Sequence, residues 1–91
     1  MIIVWDCKTG RCEFIELLLK KEGYEVFSCA QMNSELIEQV RSLNPILIIS
    51  SDDVASQLNQ DWDCSIWTLG KEIELPLEPL NFLDKISKKL R

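Results

Sequence analysis

The sequence predicts one α/β domain, a three-layer sandwich on a four- to five-stranded parallel sheet that is shortened after its third strand. Three observations predict it. Two short runs, the apolar IIVW at 2–5 and ILIIS at 46–50, apolar up to its final Ser50, read as strands buried on both faces, the mark of a parallel sheet. Segments with apolar residues three and four apart separate the strand-like runs, so strand and helix alternate. No repeat, linker or low-complexity stretch interrupts this order, and 91 residues leave room for a single modest core over residues 1–91.

The elements follow in order. After IIVW, residues 11 to 22 form a helix with Phe14, Ile15, Leu18 and Leu19 on its apolar stripe, and Gly23 follows where a left-handed cap is wanted. YEVFSCA at 24–30 alternates and is rich in β-formers. Asn33 or Ser34 caps a second helix whose inner face is Leu36, Ile37, Val40 and Leu43, and Asn44-Pro45 ends it. Beyond ILIIS, Ser51, Asp52 and Asp53 open a short helix that turns Val54 and Leu58 inward. QDWDC is a loop and CSIWTL a fourth strand; Pro76 and Pro79 exclude a helix from 70 to 79, where a fifth strand fits around Ile73 to Leu75. The last helix starts at Pro79, with Leu80, Phe82, Leu83, Ile86 and Leu90 as its stripe and Lys88, Lys89 and Arg91 at its negative end.

Composition narrows the function. Fifteen acidic against ten basic residues, a net charge of −5, give no basic footprint for nucleic acid. No apolar run approaches the roughly 18 residues of a membrane span, and the first residues do not read as a signal peptide, so a cytoplasmic protein is expected. The four cysteines include no C-x-x-C pair and the chain has no histidine, which leaves small buried thiols as the plain reading. Cys7, Cys12 and Cys29 nevertheless fall where adjacent strand ends and a helix start can bring them together, which would permit a redox pair or a soft-metal site.

Right-handed crossovers put the carboxyl ends of the strands on one rim, where ligands of such sheets bind: Asp6, Cys7, Cys29, Ser50, Ser51 and Thr68. These residues make the chain resemble a receiver domain of the response-regulator family, which has a flavodoxin-like fold. MIIVWDCKTGRCEFIELLLKKEGYEVFSCA is similar to the family's first strand, acidic turn, first helix and second strand; SELIEQVRSLNPILIISSD to its second helix and third strand; LPLEPLNFLDKISKKL to its last region. The similarity covers most of the chain except residues 52 to 70. The family uses two acids after the first strand to hold magnesium, an aspartate ending the third strand as phosphoryl acceptor, a hydroxyl residue ending the fourth, and a lysine before a proline. Here Asp6 matches the first acid and Thr68 the hydroxyl, but Cys7 takes the second acid's place, Ser50 or Ser51 the acceptor's, and Leu75 the lysine's before Pro76. Only a shifted register would bring Asp52 or Asp53 to the acceptor position. The resemblance thus implies a relic acid pocket without magnesium or phosphoryl chemistry, in a regulatory domain of signal transduction that works by protein–protein interaction and needs no cofactor.

A second resemblance stays open. Cys7-Lys8-Thr9-Gly10-Arg11-Cys12 is similar to the loop C-x-x-G-x-S or T of the IIB components of sugar phosphotransferase systems, which implies a phosphoryl carrier acting through Cys7 with Thr9 and Gly10 in the phosphate cradle. Thr9-Gly10 also resembles the flavodoxin phosphate loop, but the chain lacks segments for the further loops a flavin needs; otherwise Gly10 is a turn residue. For partners, Trp62 between acids in a polar loop reads as an exposed anchor. Too little helix is left to cover the sheet near CSIWTL, so Trp67, Ile66, Leu69 and Ile73 are expected to meet a protein partner or a second copy in a homodimer.

Overall fold

The computed structural model describes residues 1–6, 11–58 and 62–90. They form four strands and four helices in strict alternation: β1 (Ile2–Trp5), α1 (Arg11–Lys21), β2 (Val26–Cys29), α2 (Ser34–Ser42), β3 (Leu47–Ser50), α3 (Asp52–Gln57), β4 (Ser65–Thr68) and α4 (Pro79–Lys89). All pairings are parallel, in the order β2-β1-β3-β4.

The register explains why the strands are apolar throughout. Ile2 stands level with Val26 and Leu47, and Trp5 with Cys29 and Ser50. Level residues of parallel strands share a face and successive residues alternate, so each strand divides its side chains between two cores. Ile2, Val4, Leu47 and Ile49 pack with Cys12, Ile15 and Leu19 of α1 and Phe82 and Ile86 of α4. Ile3, Trp5 and Ile48 pack with Val40 of α2 and Val54 of α3.

Local chemistry sets the ends. Asn33 is the cap of α2, its Oδ1 accepting from the Leu36 amide at 2.8 Å. Glu78 caps α4, accepting from Asn81 N at 2.7 Å and Leu80 N at 3.3 Å, with Pro79 in the first turn. Gly23 closes α1 at φ 88°, where a side chain would be strained, and Asn44 takes φ 51° after α2.

Three expectations are corrected. Among the described residues there is no fifth strand: Ile73 makes only an isolated parallel bridge to Leu69. Gly70, at φ 92°, turns the chain back, and its amide donates to Ile73 O at 2.7 Å, so the segment closes a tight turn instead of running along β4. Phe14 lies outside the apolar stripe and is 46% exposed, while Cys12 is buried in its stead, because the inward arc of α1 is centred between Ile15 and Leu19. Leu80 is 76% exposed, since Phe82 and Ile86 define the inner line of α4 and Leu80 lies about 200° around the helix from Phe82.

Candidate functional site

The four buried polar residues among the described residues are Asp6, Ser50, Ser51 and Thr68, the same four that the sequence places at the relic pocket. They stand together at the carboxyl ends of β1, β3 and β4. Backbone bonds fix that rim: Asp6 N donates to Cys29 O at 3.2 Å, Ser51 N to Trp5 O at 3.0 Å, and Leu69 N to Ser50 O at 2.8 Å.

The rim is filled more than it is open. Trp5, Ser50 and Thr68 are level, so they share the side of the sheet that α2 and α3 cover. Trp5 is fully buried there, with its indole N–H donating to Gln31 O at 2.7 Å. A tryptophan thus occupies the space beside the residue that stands for a phosphoryl acceptor. The Ser50 and Ser51 hydroxyls are buried without a hydrogen-bond partner. An unsatisfied buried hydroxyl is a cost, so Ser50→Ala is expected to stabilise the fold by about 1 kcal/mol in urea unfolding; a loss of stability would mean that the hydroxyl holds a bound group.

Asp6 lies on the other side, by Cys12. Burial first, then the charges of Asp6, Glu16 and Glu13, push the Cys12 thiol up from its ordinary value, against a hydrogen bond with Ser28 that lowers it. Burial and Asp63 likewise push Cys64 up. Raised thiols are protonated and poor nucleophiles at neutral pH. The sign of the linkage follows: a proton held more tightly in the folded state gives stability that is complete below the ordinary thiol pKa of 9.0 and is lost as pH rises through the higher folded value. Urea midpoints are therefore expected to fall above about pH 9, and less steeply in Cys12→Ala.

Cysteine clustering does not extend to Cys29. Cys12 belongs to the core under α1 and α4 and Cys29 to the core under α2 and α3, so the sheet separates them. Cys12 and Cys64 are free thiols, and no group of three metal-ligating side chains occurs among the described residues. Cys7, Thr9 and Gly10, the phosphate-loop residues, lie outside the described residues.

The shifted-register acids occupy the first turn of α3. Asp52 points outward, its side chain 69% exposed and 3.8 Å from the Lys71 ammonium. Lys71 is a rim cation that the sequence reading missed; the signal was Gly70, whose turn brings it back over α3. Glu72, also missed, accepts from the Thr68 amide at 2.7 Å and so ties off the outer edge of β4. Leu75 is exposed and its peptide bond to Pro76 is cis.

The interaction residues are placed differently from expectation. Trp62 is half-buried rather than an exposed anchor: it packs against the α2/α3 core, with the Arg41 guanidinium 4.6 Å from its ring centre. Ile73 is buried and Trp67 half-buried under α4, with Lys85 5.1 Å from the Trp67 ring. The face expected to stay open there is closed by the chain itself, because the turn at Gly70 folds Ile73 inward and α4 runs back across it. Ile66, on the opposite face, remains partly buried. No helix among the described residues is long and apolar enough to cross a membrane.

No family model matches the chain, and neither a curated protein nor a solved structure matches it.

Proposed function

We propose that this chain is a cytoplasmic, receiver-like domain of three-layer, flavodoxin-like build that has lost the phospho-acceptor pocket and serves regulation by binding protein. The observation that carries this reading is the make-up of the rim: one carboxylate, Asp6, on one side of the strand ends, and on the other the hydroxyls of Ser50 and Thr68 with Trp5 packed beside them. The sheet order β2-β1-β3-β4 and the placing of the last helix beside the first fit that family's plan. Magnesium requires several hard oxygen ligands in octahedral array, and one buried carboxylate beside a cysteine falls short of that set. The Ser50 and Ser51 hydroxyls, buried and without a hydrogen-bond partner, have no base among the described residues to activate them.

The test is incubation with acetyl phosphate and magnesium followed by intact mass. An unchanged mass is expected, together with a melting temperature that millimolar magnesium leaves alone, since binding to the folded state alone must raise it. A phosphorylated species overturns the reading. Its loss in Cys7→Ser would place the chain with the phosphoryl carriers, and its loss in Asp52→Asn would give the exposed Asp52–Lys71 pair the acceptor's role.

A further inference from the structure

A recess lies away from the rim, between the 72–78 segment and the first turns of α4, with a volume of about 300 Å³. Ile73, Leu77 and Phe82 give it an apolar floor. Glu72, Glu74 and Glu78 line it as well, against the single cation Lys85. That lysine is already engaged: its ammonium donates to Glu72 O and lies over the Trp67 ring. Glu72 and Glu78 each spend carboxylate oxygens on local amides, which fixes them in place without removing their charge. The apolar surface continues outward at Leu75, which stands between the lining residues Glu74 and Pro76 and is 40% exposed.

A recess with an apolar floor, three carboxylates of which two are held in place, and an exposed leucine beside it has the anatomy of an interface centre with a charged rim. We propose that it docks a basic segment of a partner protein, with one aliphatic or aromatic side chain seated on Ile73, Leu77 and Phe82 and flanking arginines or lysines meeting the three glutamates. This rests on the interaction-domain reading and specifies the partner's chemistry. Charge complementarity selects the occupant. Three acids to one occupied lysine, in a chain of net charge −5, repel an acidic segment and draw a basic one. The floor requires an apolar anchor as well, so charge alone does not satisfy the site.

The probe is the blocked pentapeptide Arg-Arg-Leu-Arg-Arg titrated into the whole chain, with backbone amide shifts as the readout. Sub-millimolar binding is expected, with the largest shifts at residues 72–85. Replacing the peptide's leucine by glycine should weaken it by about tenfold or more, the worth of one buried aliphatic side chain. Glu74→Lys, an exposed change whose unaltered melting temperature shows that the fold is kept, should weaken binding at least about fivefold, and the Glu-Glu-Leu-Glu-Glu peptide should not bind. The proposal fails if no shifts appear at millimolar peptide, if the glycine peptide binds equally, or if Glu74→Lys has no effect. It also fails if light scattering finds the recess occupied by a second copy, with dimers that Glu74→Lys dissociates. Each of these outcomes leaves the acetyl phosphate result untouched, so loss of this site and loss of the non-phosphorylated reading are told apart.

Discussion

Trp5→Ala is expected to cost about 3–5 kcal/mol of folding stability. The estimate comes from what the side chain does. Trp5 is fully buried at the end of the central strand, level with Cys29 and Ser50, and packs in the core that α2 and α3 cover. Truncation empties the largest buried side-chain volume of the fold and leaves Gln31 O without its donor. For a chain of 91 residues the whole stability is on the order of 5–14 kcal/mol, so this single change removes a large share of it. Trp5→Phe keeps an aromatic ring and loses the N–H, and should fall between wild type and Trp5→Ala. Urea unfolding at fixed pH decides it, and a loss under about 1 kcal/mol would show that the indole is not packed as described.

Phe82→Ala carries the second large effect, about 3–5 kcal/mol. Phe82 and Ile86 sit on one line of α4 and join it to the strand residues Ile2, Val4, Leu47 and Ile49. Without the ring, α4 has lost half of its fully inward pair, and the floor of the acidic recess goes with it. Hydrogen exchange should report the loss first in α4 amides, because the helix is held by packing more than by its own propensity. Phe82→Leu, which keeps most of the apolar volume, should cost less than half as much. Equal protection in α4 of wild type and Phe82→Ala would mean that the helix is anchored elsewhere.

Much of this architecture was legible as pattern. IIVW and LII are apolar at every position, and only a sheet buried on both faces gives all of them an interior place. The rim was legible too: Asp6, Ser50, Ser51 and Thr68 each end an apolar run, and a polar residue at that point is held at a strand's carboxyl end whatever the rest of the fold does. What escaped was phase. Spacing says that α1 has a stripe, but Phe14 and Cys12 flank it about equally, and the sheet below decides which is buried. The separation of Cys12 from Cys29 depends on register, which no single strand encodes. The same limit hid Trp62, whose surroundings come from Arg41 at the far end of another helix. The missing fifth strand turned on Gly70, one residue whose backbone freedom outweighed the β-forming Ile73 after it.

The central place of β1 also bears on the order of events during synthesis. β1 bonds to β2 on one side and β3 on the other, and residues 2–5 are the first of the sheet's four strands to be synthesised. Its apolar side chains gain their first neighbour strand when Cys29 emerges and their second only with Ser50, a wait of about 2–10 s at ordinary elongation rates. During that interval IIVW is a bare apolar segment. Truncated chains released after residue 30 and after residue 60 should therefore give protease-sensitive and newly protected β1, respectively, a difference that belongs to the wiring of the sheet and not to any one side chain.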